Sequence, residues 1–282
     1  MSKDDERDQP HRWYSTNLVG VPAPVLASLA FNQNPVSLSI AGTREAYVGL
    51  FSLLERSQDL SEARDMFVHY LSIAFGLRKP QAHEMAGMGA AEQRRWRSSW
   101  RKLLQGWGMD ANGNAGAVLK AWVESRFGLV PIFHKAPLLR FPSPAWIAYL
   151  QEKTGSRHNS NNIFQQLDLL FEFSQWALRR FRPLDCQTGA KHLRLWRGSN
   201  QVEEQLVNGG LQQRRCTVRL NNMVSFSLSS EAASCFGDWV LEVQVPLCKV
   251  LVFPGLLPGQ VLQGEQEVLA LGGDYEVLAR YA

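Results

Sequence analysis

The sequence predicts an α+β protein with a helical portion to about residue 187 and a β-rich portion after it. Three observations carry this. Apolar residues recur at helical three-to-four spacing as far as Phe181. Beyond Pro183 they gather in short runs separated by Gly, Pro and Asn. At 45% apolar and 20% charged residues, the 282-residue chain has material for a real core.

Taken in order, residues 1–12 read as a polar, disordered lead with no apolar signal region. A short helix is expected over Val25–Phe31 after the extended Pro22–Pro24 stretch. A firmer helix starts near Thr43 and carries Tyr47, Leu50, Phe51 and Leu54 on one face. Asp59, with Glu62 three residues on, signals the cap of the next helix, which buries Met66, Phe67, Tyr70, Leu71 and Ala74 and ends at Gly76.

The stretch Arg94–Lys102 mixes cations with Trp96 and Trp100, as a nucleic-acid surface does. Trp96, Trp100, Leu103, Leu104 and Trp107 also fall at helical spacing. A core stripe with a basic outer face is therefore the simpler account. Asp110–Asn114 opens like a calcium loop, but Ala115 stands where Gly is required and Ala121 where the bidentate Glu belongs. No metal site is expected. Gly116–Phe127 reads as a helix, the prolines at 131, 137, 142 and 144 as an irregular connector, and Ser143-Pro144 as the cap of a helix reaching Lys153. The longest helix is expected over Asn161–Phe181, with Ile163, Leu167, Leu170, Phe173, Ala177 and Phe181 on its inner face.

Strands are expected over His192–Arg197, Cys216–Ser227, Trp239–Val245, Lys249–Phe253, Glu267–Leu271 and Tyr275–Tyr281, with Gly272-Gly273 as a turn between the last two. This divides the chain into a helical portion, 1–187, and a β-rich portion, 188–282.

The totals exclude several classes. No run reaches the length of a membrane-spanning helix. The net charge of +4 is spread as 22 basic against 17 acidic residues to position 187 and 8 against 9 after it, well short of a nucleic-acid footprint. The four cysteines, at 186, 216, 235 and 248, have no metal-ligand spacing and read as free thiols of a cytoplasmic protein. No Rossmann fingerprint, Walker A loop or H-E-x-x-H motif is present.

Three features of the last third share one chemistry. They are Leu195-Trp196-Arg197-Gly198, then Ser225-Phe226-Ser227-Leu228-Ser229-Ser230, then Glu265-Gln266-Glu267. On a strand, positions 265 and 267 point the same way, roughly 6–7 Å apart. Two carboxylates so placed resist joint ionisation unless a cationic centre lies between them. Cleaving an N-glycosidic bond creates such a centre on the ribose, and a carboxylate stabilises it. A planar guanidinium suits a pyrophosphate. A weak guanidinium nucleophile needs a second carboxylate to orient it and take its proton.

The order Arg, S-x-S, E-x-E resembles the mono-ADP-ribosyltransferase family in its arginine-specific branch. The resemblance extends through Phe236-Gly237 and the strand Val240–Val245. A wider one, over His11–Asn32, Gly116–Gly128 and Asn161–Trp176, is to ADP-ribosyltransferases that modify dinitrogenase reductase, and it spans nearly the whole chain. It implies a β-rich ADP-ribosyltransferase-like core with an NAD-binding cleft and transfer of ADP-ribose from NAD+ to one arginine of dinitrogenase reductase, which inactivates the reductase and releases nicotinamide.

By the same resemblance Arg197 holds the NAD+ phosphates and neighbouring ribose, and the Gly198 backbone binds the carboxamide. Ser225 positions the catalytic carboxylate, Ser227 supports the cleft, and Phe236 lies against the nicotinamide ring. Glu267 stabilises the oxocarbenium ion, Glu265 engages the acceptor arginine, and Pro254–Gly264 forms the target-recognition loop. The helical portion meets target or regulator, and control runs through a PII-type signalling protein. Two departures stand out: Phe226 where Thr is commoner, and Asp238-Trp239 where some relatives carry a basic residue. The rival readings are the same chemistry on another protein target, a catalytically silent NAD-binding module, and a nucleic-acid binder built on Arg94–Lys102.

Overall fold

Helix starts follow the polar punctuation of the sequence. The structure is a computed structural model that describes residues 17–77, 89–184, 189–259, 262 and 266–282. Two short helices, α1 (Ala23–Leu26) and α2 (Leu29–Gln33), replace the expected Val25–Phe31 helix, because the Ser28 hydroxyl caps the second at the Phe31 N–H. The helix expected from Thr43 likewise breaks at Tyr47 into α3 (Thr43–Ala46) and α4 (Val48–Leu54). Then comes α5 (Leu60–Ala74), whose cap is the one the sequence announces. The Asp59 carboxylate accepts from the Glu62 N–H at 2.8 Å, and Glu62 reaches back to the Gln58 N–H at 2.7 Å. Its inner face is Ala63, Phe67 and Leu71; Met66 and Tyr70 are half-buried and Ala74 is exposed, so the stripe is narrower than its spacing suggested. Asp59→Ala is expected to cost about 1 kcal/mol through the lost cap, read by denaturant unfolding.

The next helices are α6 (Ala90–Arg97), α7 (Trp100–Met109) and α8 (Asn114–Phe127), the last closed by Gly128 at φ +71°. In α7, Trp100, Leu103, Leu104 and Trp107 are all buried, whereas Trp96 lies in α6 and is half-buried, so the core stripe begins at Trp100. The calcium-loop stretch runs straight into α8, and among the described residues no acidic, Cys or His cluster suits a metal. A small hairpin, β1 (Phe133–His134) with β2 (Ala136–Pro137), sits within the proline connector, ahead of α9 (Pro144–Gly155).

Helix α10 (Asn161–Phe181) has the expected bounds and is buried on nearly all sides through its middle. Phe173 stacks on Phe67 at 4.2 Å, and Glu172, fully buried, accepts hydrogen bonds from Ile40 N–H, the Ser39 hydroxyl and Arg44. A buried carboxylate persists only with such partners.

The strands are β3 (His192–Ser199), β4 (Leu206–Gly209, after the short helix α11, Val202–Gln205), β5 (Arg215–Ser227), β6 (Trp239–Pro246, after the short helix α12, Ser230–Ser234), β7 (Val250–Val252) and β8 (Glu267–Tyr281). All pairings are antiparallel, in the order β4-β5-β3-β6-β8-β7. Because β5 also pairs along β8, the strands β5, β8, β6 and β3 form a ring. Its last link is the single bridge between Trp196 and Ser227.

Gly272-Gly273 is not a turn; β8 runs unbroken through it. A Cβ at 272 would lie 1.6 Å from the Asn221 carbonyl oxygen, beside the register shift between Leu220 and Met223. Gly273 has φ +119°, and a Cβ there would meet Ala27 at under 3 Å. The glycines let strands β8 and β5 and helix α1 approach backbone to backbone. The helical and β-rich portions share one apolar core, in which Phe67, Leu104, Trp122 and Phe171 cluster with Val218, Phe226, Leu241 and Val268. Cys216 and Cys248 are buried free thiols and Cys235 an exposed one; Cys186 lies outside the described residues.

Candidate active site

The three motifs converge at the bridge that closes the ring. Ser227 of β5 stands opposite Trp196 of β3 on one side and Glu267 of β8 on the other. One residue further along β3, Arg197 donates from Nη1 to the Ser225 carbonyl oxygen at 2.9 Å. Strand pairing alone thus brings Arg197, Ser225, Ser227 and Glu267 together from positions up to seventy residues apart.

Arg197 is half-buried, and its Nε is buried without a hydrogen-bond partner among the described residues. Burial pulls its guanidinium below the ordinary arginine value, and the charge of Glu267 acts against that shift. A desolvated N–H with no acceptor is costly, and an anionic oxygen would relieve it.

A cleft of about 880 Å³ opens beside Arg197, between the sheet on one side and α7, α8 and the β1–β2 hairpin on the other. Arg197, Gly198, Ser225 and Phe236 line it. Phe236 is 72% exposed there, an aromatic face with nothing laid over it. It is held by a backbone contact: a Cβ at Gly198 would fall 2.1 Å from the Ala233 carbonyl oxygen, and one at Gly237 within 3 Å of Ser199. Only glycines let β3 pass so close to the turn after α12.

Ser227 and Glu267 are half-buried at the strand ends and outside the cleft's lining. The Ser227 hydroxyl accepts from the Ser229 N–H at 3.0 Å, and Ser229 in turn caps α12 at the Ala232 N–H. Ser227 therefore shapes the turn that carries Phe236. Phe226, the unusual middle residue of S-x-S, is buried edge-on against Tyr275 at 6.2 Å, so this departure leaves the cleft untouched. Asp238 and Trp239 are engaged with Asn200 and Tyr281. Glu265 lies outside the described residues, as does part of Pro254–Gly264.

Three residues that sequence reasoning did not place in a site also line the cleft, two from the helical portion and one from the short helix α11. Trp107 of α7 donates from its indole N–H to the Ser225 hydroxyl oxygen at 3.0 Å. The Gln205 Oε1 is buried in the cleft wall with no donor among the described residues. Lys120 of α8 is buried at the cleft floor, and its ammonium meets Asn112 Oδ1, the Phe133 carbonyl and His134 Nδ1 at 3.0–3.2 Å. A lysine amid Val118, Leu119, Ala121 and Trp122 was a visible signal. The partner of Trp107 was not, since its indole sits in an ordinary core stripe.

Burial lowers the Lys120 pKa to about 7, opposed by Asp110 and Glu152. The unfolded lysine stays charged to about pH 10. Between those values the unfolded chain holds the extra proton, so Lys120 makes stability rise with pH, by at most about 1.4 kcal/mol per unit. The stability difference between wild type and Lys120→Met should therefore change in favour of wild type from pH 7 to 9 in thermal unfolding. A difference independent of pH would contradict this.

The sequence model of the family described as dinitrogenase reductase ADP-ribosyltransferase matches residues 16–279. The chain belongs to this family. It is also similar to the NAD(+)--dinitrogen-reductase ADP-D-ribosyltransferase of Rhodospirillum rubrum, at 46% identity over 279 residues covering 99% of both chains. No solved structure matches the chain. The family's match spans α1 to β8, so the cleft's helical wall belongs to it as fully as the strands do.

Proposed function

We propose that the protein transfers the ADP-ribosyl group of NAD+ to an arginine of dinitrogenase reductase, inactivating it and releasing nicotinamide. The carrying observation is the ring closure that brings Arg197 and Ser225, in the cleft wall, next to the strand end that bears Glu267, within a chain of this family. In this reading Arg197 binds the pyrophosphate, using the Nε that has no partner among the described residues. The nicotinamide ring rests on Phe236, and its carboxamide meets the Gly198 backbone. Ser225 orients Glu267.

The glycosidic C–N bond breaks, and its electron pair leaves with nicotinamide. The ribose cation is stabilised by Glu267. A guanidinium nitrogen attacks from the opposite face, inverting the anomeric carbon, and its proton passes to Glu265. The role of Glu265 is the one implied by its match to the first position of the family's E-x-E motif. Pro254–Gly264 recognises the target, a PII-type signalling protein controls the enzyme, and the reaction takes place in the cytoplasm. No described helix is long and apolar enough to cross a membrane.

The test is incubation with NAD+ labelled in its adenylate half and purified dinitrogenase reductase, beside other arginine-bearing proteins as acceptors. Label should pass to the reductase. Glu265→Gln should stop transfer while NAD+ hydrolysis continues. Label on the other acceptors but not on the reductase would overturn the target.

A further inference from the structure

The Ser225 hydroxyl has one proton to give and lone pairs to receive. If it is to hold a carboxylate, that proton must point at the carboxylate, and something else must fix the oxygen. In the structure that partner is the Trp107 indole N–H, at 3.0 Å. Trp107 is 4% exposed, and indole nitrogen is donor only, so the bond can run in one direction alone. That bond occupies one lone pair of the hydroxyl and leaves its proton free to be donated elsewhere.

The backbone of the same serine is held independently, by Arg197 Nη1 on its carbonyl. Ser225 is thus fixed from the helical side through its side chain and from the sheet through its main chain.

The helix that carries Trp107 is itself anchored at two further points. The Trp100 N–H donates to the Gln166 side chain at 2.9 Å, which ties the start of α7 to α10. Arg101 donates from Nη2 to the Pro258 carbonyl at 3.1 Å, in the β7–β8 connection that leads to the E-x-E segment. Neither bond is needed to fill the core, and both set where α7 sits along the cleft.

We infer that Trp107 is a positioning residue for the transfer reaction: its N–H orients the Ser225 hydroxyl toward the catalytic carboxylate, so the helical portion completes the active site and does not merely flank it. The inference rests on the site reading given above.

Trp107→Phe keeps an aromatic ring in the core, smaller than the indole, and deletes the N–H. It should lower kcat for ADP-ribose transfer about tenfold, with KM for NAD+ unchanged. Ser225→Ala should lower kcat by at least as much. The decisive quantity is the double variant: if Trp107 acts through Ser225, Trp107→Phe/Ser225→Ala is no slower than Ser225→Ala alone. A purely structural role for Trp107 would multiply the two losses, and that result would overturn the inference, as would wild-type kcat in Trp107→Phe with Ser225→Ala impaired. Wild-type kcat in Ser225→Ala would instead remove the site reading, and this inference with it. Thermal unfolding of each variant, run alongside, confirms that assays are made on folded protein.

Discussion

Glu267→Gln should reduce ADP-ribose transfer by about 100-fold or more while leaving the protein folded and NAD+ bound. The expectation comes from the role proposed for this carboxylate and from its place at the start of β8. A developing cation on the ribose is stabilised by a fixed negative charge held out of bulk water, and removing one such group costs roughly 100-fold or more in kcat. Glutamine preserves the shape and the strand but not the charge. Glu267 opens β8 opposite Ser227, so its backbone is held by pairing that the substitution does not disturb. The charge of Glu267 is also felt at Arg197, where it opposes the effect of burial. Turnover and NAD+ affinity should be measured separately, since a loss confined to affinity would assign Glu267 to binding alone.

Gly272→Ala should be the most destabilising single methyl that can be added near the site. Its Cβ would sit 1.6 Å from the Asn221 carbonyl oxygen, a backbone atom with no freedom to withdraw. Overpacking costs about 1–3 kcal/mol, and a clash this short with main chain belongs at the upper end of that range. A chain of this size loses roughly 2–4 °C of Tm per kcal/mol. Because β8 carries Glu267 at its start, activity should fall with stability, and both should be lost together in a thermal series. A Gly272→Ala variant that unfolds at the wild-type temperature would show that β8 does not lie against β5 at Asn221 as described.

The same glycines show where the sequence was legible and where it was not. Helix α10 was readable to its ends, because its apolar period, the Ser160 cap and the following Pro183 all agree. The Asp59–Glu62 cap was readable for the same reason. Gly272-Gly273 was not, since paired glycines between apolar runs signal a turn and a close backbone crossing alike. Only the neighbouring strand, with Asn221 against Gly272, decides between them. In the site, residue order marked Arg197, Ser225 and Glu267, and antiparallel register brings them together. Trp107 and Gln205 were silent, because their meaning lies in partners more than a hundred residues away or in the absence of one among the described residues.

The measurement closest to the centre of the account is peptide mapping of dinitrogenase reductase by mass spectrometry after incubation with this protein and NAD+. The account predicts one added ADP-ribosyl group, on a single arginine, with one nicotinamide released for each. An unmodified reductase in the presence of consumed NAD+, or a label fixed to a residue other than arginine, would contradict it.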